Sequence, residues 1–141
     1  MKAIIYTEYG PPEVLRMQDV EKPVPRDGDV LVKVQATTVT IGDTIMRDLD
    51  MPLSGLKRFL ARIYLGYNKP KRRVLGMELA GDVESVGRKV TRFKPGDAVF
   101  GSTFAVDFGG YAEYKCLPEK GVIALKPVHL SYEEAAAVPG A

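Results

Sequence analysis

The sequence predicts a mainly β fold, in which short strands form a partly open β-barrel or strongly curled sheet with two or three short helices. Several short apolar segments are separated by turns rich in Gly and Pro, and few segments have helical spacing. The 141 residues suit one domain, since domains usually hold about 100–150 residues. An apolar fraction of 45% and a charged fraction of 27% are typical of a globular chain with a packed core.

Seven segments have the length and composition of β-strands. Residues 30–36 are the clearest case, because Val30, Val32, Val34 and Ala36 recur with the period of two that a half-buried strand requires. The other predicted strands are residues 2–7, 14–20, 79–86, 98–100, 110–117 and 122–125. Strands this short and this numerous favour a barrel or a curled sheet over a helical bundle.

Glycine and proline mark the bends between these strands. Pro95 and Gly96 predict a type II turn, because proline presets the first central φ and glycine accepts the positive second one. Gly81, inside a predicted strand, indicates a bend or a close backbone approach, which small barrels use to curve. Residues 22–29 are rich in turn formers and predict an irregular connection.

Two internal segments are predicted to be helical. Residues 42–49 provide about two turns of helix. In residues 54–65 the large apolar side chains fall on one face at helical spacing, namely Leu56, Phe59, Leu60 and Ile63. We expect this apolar face to pack against the body of the domain.

A third helix is predicted to begin near the end of the chain. Ser131 at the N-cap and Glu134 at N3 form a capping box. The helix meets Pro139 and Gly140 after little more than one turn, and the chain ends at Ala141. Because nucleation is the costly step of helix formation, a helix abandoned so early makes poor physical sense. We therefore expect the chain to be a piece of a longer protein.

Basic residues are concentrated in one segment. Seven basic and no acidic residues lie between Met51 and Met77, whereas the rest of the chain has 13 basic and 18 acidic residues. The basic part, residues 57–73, predicts either a solvated surface or a surface that binds phosphate or nucleic acid. Because residues 69–73 hold no aromatic side chain for base stacking, we do not expect a nucleic-acid partner.

Composition excludes several other classes of protein. Cys116 is the only cysteine and His129 the only histidine, which excludes an internal disulfide, a thiolate-rich zinc module and a serine–histidine–aspartate triad. No apolar run approaches the roughly 20 residues of a membrane span. The first residues lack the apolar core of a signal peptide, so we expect a cytoplasmic protein without a membrane partner.

Residues 76–101, GMELAGDVESVGRKVTRFKPGDAVFG, resemble the signature of the medium-chain dehydrogenase/reductase superfamily. Four more segments are similar to the family in family order, and together they cover nearly all of the chain: MKAIIYTEYG, DVLVKVQATTVTIGDTIMR, FGGYAEYKCL and SYEEAAAVPG. The resemblance implies that residues 1–130 form a GroES-like partly open β-barrel, the catalytic, substrate-side domain. It also implies that residues 131–141 begin the helix that leads to a nucleotide-binding domain.

The resemblance further implies NADP or NAD as the cofactor of the full-length protein, and a homodimer formed through the nucleotide-binding domain. That domain recognises the pyrophosphate with a Gly-x-Gly-x-x-Gly turn at a helix N-terminus. No such motif occurs in these residues. We therefore expect this chain alone to bind no dinucleotide tightly and to be inactive.

Zinc divides the superfamily. Zinc-dependent alcohol dehydrogenases hold the metal with a cysteine, a histidine and a third ligand, at positions that here are Thr40, Met77 and Ala141. A hydroxyl, a thioether and a methyl group cannot replace those ligands. The chain is thus similar to the zinc-free branch, the NADPH-dependent quinone oxidoreductases and related enone reductases. This resemblance implies hydride transfer to a quinone or another conjugated carbonyl, without a metal.

The resemblance also implies candidate site residues. Residues 40–44 match the Asn-Pro-x-Asp-Thr run that lines the nicotinamide side of the family's cleft, with Thr and Ile in the first two places. The implied catalytic candidates are Thr40, Asp43 and Arg47, and the implied cofactor-side residues are Thr40, Ile41 and Thr44. Asp43 is equally well interpreted as a helix-capping residue. Arg47 either pairs with Asp43 at i+4 or faces the cleft.

Tyr64 and Tyr67 lie in the segment that covers the substrate side in relatives, and they are candidates for substrate binding. The sequence favours a packing role for both over this one. Two other functions stay open on the sequence. One is a zinc-type alcohol dehydrogenase relative with altered ligands. The other is a non-catalytic GroES-like binding module that uses the basic surface of residues 57–73.

Overall fold

The computed structural model describes residues 1–140, which contain seven β-strands in two sheets and three α-helices. The strands are β1 Lys2–Ile5, β2 Arg16–Asp19, β3 Asp29–Thr37, β4 Glu78–Val86, β5 Ala98–Ser102, β6 Tyr114–Pro118 and β7 Ile123–Leu125. The helices are α1 Ile41–Asp48, α2 Gly55–Leu65 and α3 Tyr132–Ala137. Short 3-10 turns lie at Pro12–Val14, Phe104–Val106 and Val138–Gly140. The predicted mainly β class with three short helices is confirmed.

The larger sheet has the strand order β6-β3-β4-β5-β7 and is antiparallel throughout. The β3–β4 pairing at its centre has register shifts after Leu31 and after Val34. Such bulges bend a strand and increase its twist, so the sheet curls around its core instead of remaining flat. β1 and β2 form a separate pair, which a bridge between Ala3 and Ala112 ties to the rest of the domain.

The main core is built from aliphatic side chains of the curled sheet. Its most fully buried members are Val30, Val32, Leu79, Val99 and Leu117. Each such side chain contributes about 1.5–3 kcal/mol when it is removed from water. A second cluster forms where Ala135 and Ala136 of α3 pack, without exposure, against Ala80 of β4. Side chains this small let α3 approach the sheet closely.

Two glycine-dependent features that the sequence predicts are confirmed. Gly96 has a φ of +91° in the turn before β5, where the Asp97 amide donates to the Lys94 carbonyl oxygen at 3.1 Å. Gly81 lies in β4, and a Cβ added there would be only 2.1 Å from the Lys33 carbonyl oxygen. β3 and β4 can therefore approach this closely only because position 81 has no side chain.

Two predicted strand boundaries are wrong. Residues 110–113 are irregular, and the amide of Gly110 donates to the carbonyl oxygen of Gly76 at 3.0 Å instead of continuing β6. The strand predicted at residues 14–20 is shortened at its start, because the 3-10 turn Pro12–Val14 takes up its first residue. At both boundaries the composition of the residues suits a strand, but the chain turns.

The helix ends follow the capping residues. Thr40 caps α1 and Ser131 caps α3, each with a complete capping box. In α3 the Glu134 amide donates to Ser131 Oγ at 3.1 Å, and the Ser131 amide donates to Glu134 Oε2 at 2.8 Å. The predicted start of α3 is therefore confirmed. Within residues 1–140 no helix is both long and apolar enough to cross a membrane.

The predicted packing of α2 is wrong. The four apolar side chains on one face of α2 are exposed to solvent: Leu56 (70%), Phe59 (51%), Leu60 (55%) and Ile63 (46%). No residue of α2 is buried. The helical spacing correctly identifies the helix and the residues that share a face. It does not identify what covers that face, and residues 1–140 cover it only in part, for example where Tyr67 contacts Phe59.

Candidate active site

A cleft of about 290 Å³ lies where α1 begins, β4 begins and β5 ends. Residues from all three places line it, together with the 3-10 turn after α3; among them are Thr40, Ile41, Met77, Glu78, Ser102 and Gly140. We call it the Met77 cleft. It lies at one end of the strands of the curled sheet. The start of β4, the end of β5 and the start of α1 therefore all contribute residues to it.

Thr40 and Met77 meet in this cleft, although they are distant in the sequence. Thr40 Oγ1 lies 3.7 Å from Met77 Sδ. By the family resemblance these are two of the three positions that hold zinc in alcohol dehydrogenases; the third, Ala141, lies outside the described residues. Zinc in proteins is held by thiolate, imidazole and carboxylate groups, so a hydroxyl beside a thioether does not suit it.

The hydroxyl of Thr40 is already engaged within α1. It donates to Asp43 Oδ2 at 2.8 Å and accepts from the Asp43 amide at 3.3 Å. The Thr40 amide completes the capping box by donating to Asp43 Oδ2 at 3.0 Å. A threonine hydroxyl has one proton to donate, so Thr40 can donate to a ligand only by releasing Asp43.

Asp43 is buried, with only 2% of its surface exposed. Its Oδ1 accepts from the Gly76 amide at 2.9 Å, while Oδ2 accepts from Thr40. The carboxylate thus joins the start of α1 to the segment just before Met77, and it lines no part of the Met77 cleft. Asp43 positions the cleft residues and does not face into the cleft.

A second cavity, of about 210 Å³, lies on the other side of α1. Thr44, Arg47, Leu75 and Tyr111 line it, together with Asp43. Burial raises the pKa of Tyr111 above its ordinary value, and the negative charge of Asp43 acts in the same direction. The structure therefore separates the predicted residues: Thr40 and Ile41 line the Met77 cleft, whereas Asp43, Thr44 and Arg47 line this second cavity.

Arg47 adopts neither of its two predicted roles, since it does not pair with Asp43 at i+4 and does not line the Met77 cleft. Arg47 donates from Nε and Nη2 to the two oxygens of Asp48, both at 2.9 Å, and also from Nε to the Gly10 carbonyl oxygen at 3.0 Å. The helical spacing is right, but the Asp43 carboxylate points inward and is used by the Gly76 amide. Arg47 joins α1 to the loop around residue 10.

Tyr64 and Tyr67 do not line the Met77 cleft. Tyr64 is 65% exposed, and its hydroxyl accepts from Arg72 Nη2 at 3.0 Å. Tyr67 is 56% exposed and makes an edge contact with Phe59, with 6.5 Å between ring centroids. Tyr64 shares a smaller cavity with Phe104, which itself borders the Met77 cleft. Tyr64 is therefore next to the cleft, and Tyr67 lies further out.

The predicted site residues omit three residues of the cleft, of which Glu78 is interpreted from the sequence as structural. Glu78 is buried and accepts a hydrogen bond from Thr38 Oγ1. Ser102 lies opposite Glu78 in the β4–β5 register. At Gly140 an added Cβ would lie 1.9 Å from Glu78 Oε1. The signal for Glu78 was its place beside Met77. Ser102 reaches the cleft through the β4–β5 register, and Gly140 reaches it through the course of the chain after α3. Local sequence patterns specify neither.

Electrostatically, the Met77 cleft has a partly positive end. Ile41 and Gly42, the first two residues of α1, line it. The first amides of a helix have no acceptor within the helix, and the helix dipole adds partial positive charge there. These amides can donate to a ligand oxygen on which negative charge develops. The rest of the wall is mixed: Phe104 and the Met77 thioether are apolar, whereas the Glu78 carboxyl group and the Ser102 hydroxyl are polar.

Comparison with known proteins places this chain in a family. The profile of the alcohol dehydrogenase GroES-like domain matches residues 26–127. The chain is 39% identical over 139 residues to a quinone oxidoreductase of Lama guanicoe, a match that covers 98% of this chain and 37% of that protein. The chain therefore spans little more than a third of the length of such curated relatives.

Solved structures support the same family. The quinone oxidoreductase from Coxiella burnetii superposes with a TM-score of 0.83 at 33% identity, over 99% of this chain and 41% of that one. Escherichia coli quinone oxidoreductase complexed with NADPH superposes with a TM-score of 0.77 at 27% identity, over 98% of this chain and 37% of that one. The chain, with its GroES-like fold, belongs to the alcohol dehydrogenase GroES-like domain family, in the quinone oxidoreductase-like branch of the medium-chain dehydrogenase/reductase superfamily.

Proposed function

We propose that residues 1–130 are the substrate-side domain of an NAD(P)H-dependent, zinc-independent oxidoreductase that reduces quinones or conjugated carbonyl compounds. Residues 131–141 then lead to a nucleotide-binding domain. The observation that carries the proposal is the contact between Thr40 and Met77 in a cleft at the N-terminus of α1. The names of the similar proteins, a quinone oxidoreductase and an enzyme complexed with NADPH, support it.

The chemistry explains why a metal is dispensable. When bound, NAD(P)H supplies the hydride. Reduction of a simple ketone leaves an alkoxide, a strong base that a Lewis acid stabilises well. Reduction of a quinone or an enone leaves a phenolate- or enolate-like oxygen of much lower basicity. Preorganised hydrogen-bond donors, worth about 3 kcal/mol each, are then sufficient.

The residues of the Met77 cleft provide such donors and a partly apolar wall. In this proposal the amides of Ile41 and Gly42 stabilise the oxygen on which negative charge develops. Thr40 and Ile41 face the nicotinamide side, and the side chains of Met77 and Phe104 limit the access of water. Asp43 acts as a positioning residue, because it holds the first turn of α1 against Gly76.

The direct test uses the protein expressed from its complete reading frame. We expect oxidation of NADPH in the presence of quinones or enones, little with simple ketones, and no loss of activity with a chelator. A folded full-length protein that neither binds a nicotinamide cofactor nor turns over any of these acceptors would contradict the proposal. Stoichiometric zinc in the purified protein would favour the alcohol dehydrogenase alternative. Size-exclusion chromatography with light scattering tests the homodimer that we also propose.

Gly42→Ala tests the position of the active site. The added Cβ would lie 2.6 Å from Met77 Sδ, the flexible end of a side chain that moves aside into the cleft. We expect kcat/KM for the acceptor to fall at least about tenfold, since displacements near 1 Å at a reacting centre have effects of that size. The melting temperature should change little.

Gly28→Ala is the matched control, because an added Cβ there meets nothing within 4 Å. It should leave kcat/KM unchanged. Equal activities of the two variants would show that the Met77 cleft does not hold the reacting groups.

A further inference from the structure

Helix α2 presents an apolar face to solvent, and a narrower side of the helix lies against the protein. Leu56, Phe59, Leu60 and Ile63 are all exposed by 46% or more, and we call these four residues the α2 apolar face. The half-buried residues of α2 lie on the opposite side: Ala61, Arg62 and Leu65. Tyr9 fixes this orientation, since its hydroxyl donates to the carbonyl oxygen of Gly66 at 2.8 Å.

A helix in this orientation favours a partner outside residues 1–140. Burying a Leu, Ile or Phe side chain contributes about 1.5–3 kcal/mol, and the four side chains of this face lack roughly half of that contribution because they are 46–70% exposed. Isolated exposed apolar residues are ordinary, but a contiguous exposed patch marks an interaction site. The question is therefore which partner covers the α2 apolar face.

The charge around the patch favours an anionic partner. Lys57 and Arg58 are exposed on α2 itself, and no acidic residue occurs between Met51 and Met77. Within residues 1–140, Arg72 is the one basic residue of that segment in a salt bridge with a carboxylate. Two copies of this chain packed through α2 would bring their basic residues together, which like-charge repulsion opposes.

Contrary to the expectation of no membrane partner, we propose that α2 docks on an anionic lipid surface, with its apolar face in the acyl–headgroup boundary and the exposed Lys57 and Arg58 near the lipid phosphates. Interfacial helices combine Leu and Phe on one face with Lys and Arg beside it. Tyr64 and Tyr67, 65% and 56% exposed at the end of α2, add the aromatic rings typical of a membrane–water boundary.

The proposed docking is argued from α2 alone. A link between docking and catalysis rests, in addition, on the proposed function. Tyr64 shares a cavity with Phe104, which also borders the Met77 cleft. Phe104 thus lies between the cavity of Tyr64, beside α2, and the Met77 cleft. A lipid surface in contact with α2 would therefore be close to the cleft. An apolar acceptor dissolved in the lipid would have a short path to it. Vesicle binding is measured without any substrate, so it fails or succeeds independently of reductase activity.

The first test measures co-sedimentation of the full-length protein with phosphatidylcholine vesicles, with and without phosphatidylglycerol. We expect binding to the anionic vesicles that weakens as salt is raised, and at least about tenfold weaker binding to the neutral ones. The variant Phe59→Ser/Leu60→Ser should bind at least about tenfold more weakly than the wild type. The control Val24→Ser/Val128→Ser, at sites 82% and 100% exposed, should bind as the wild type does.

A second pair of variants tests the charges. Lys57→Glu/Arg58→Glu should lower binding to the anionic vesicles at least about tenfold, since each cation near a lipid surface contributes about 1 kcal/mol. Lys33→Glu/Lys120→Glu changes the net charge equally at exposed sites away from α2 and should have a much smaller effect. Circular dichroism confirms that each variant is folded.

Two outcomes would overturn the proposal. One is a folded full-length protein that does not bind anionic vesicles; slow hydrogen exchange in α2 without lipid would then identify another protein surface as the cover. The other is binding that the α2 variants and their controls reduce equally, which would indicate attraction by net charge alone.

Discussion

At the residue scale, Asp43 accepts hydrogen bonds from Thr40, three positions before it, and from the Gly76 amide, 33 positions after it. We expect Asp43→Ala to lower the free energy of unfolding by about 3 kcal/mol. The buried Gly76 amide would lose its acceptor, which costs about 1–3 kcal/mol, and the Thr40 amide would lose its partner in the capping box, which adds about 1 kcal/mol. Urea unfolding followed by circular dichroism measures the change.

Asp48→Ala is the matched control on the same helix. Asp48 pairs with Arg47 at the surface, and its side chain is 39% exposed, so its loss should change the free energy of unfolding by less than about 1 kcal/mol. Similar losses for the two aspartates would contradict the view that Asp43 joins α1 to the segment before β4.

Lys115 makes stability depend on pH. Burial lowers the pKa of Lys115 below its ordinary value, and the charge of Asp107 opposes only part of this effect. Between the lowered pKa and the ordinary value near 10.4, the unfolded chain binds more protons than the folded one. The contribution of Lys115 to the free energy of unfolding therefore rises with pH through that window.

We expect Lys115→Met to remove this rise. The difference in the free energy of unfolding, variant minus wild type, should decrease as the pH is raised through the window. Urea titrations at several pH values measure it. Lys33→Met, at an exposed lysine of β3, is the control for loss of a charge from the same sheet. A difference for Lys115→Met that does not vary with pH would contradict the expectation.

At the element scale, the approach of β3 and β4 depends on Gly81. An added Cβ would lie 2.1 Å from the Lys33 carbonyl oxygen, which is backbone and cannot swing aside. We expect Gly81→Ala to lower the free energy of unfolding by about 2–3 kcal/mol, as overpacking of a core does. Gly28→Ala, with open space around it, should change it by less than about 0.5 kcal/mol.

The helices also show which features can be predicted from residues that are close together in the sequence. The capping boxes at Thr40 and Ser131 involve side chains three residues apart, so the sequence predicts the start of α3 correctly. The partner of Arg47 could not be predicted in the same way, because the Asp43 carboxylate is held by an amide far away in sequence. The residues that share the apolar face of α2 were predicted correctly. Their burial was predicted wrongly, because periodicity does not specify which part of a protein packs against a face.

At the scale of the whole molecule, the family signature predicts the fold and the meeting of Thr40 with Met77, which local periodicity alone could not. Such a signature records which segments lie together in related folds. It did not indicate that Thr44 and Arg47 would face a separate cavity behind α1. That separation depends on the direction of α1, which its contacts with Gly10 and Gly76 determine.

The Met77 cleft, at about 290 Å³, is at the lower end of the range of roughly 300–1,000 Å³ typical of ligand pockets. Under the proposed function, it would hold a nicotinamide ring beside a small acceptor and not a whole dinucleotide. If the proposed nucleotide-binding domain supplies the rest of the site, residues 1–141 alone should bind NADPH too weakly to detect by calorimetry, and the full-length protein should bind it with one site per chain. Circular dichroism of the shorter protein checks that it is folded. Tight binding by residues 1–141, or none by the full-length protein, would contradict this division of the site between two domains.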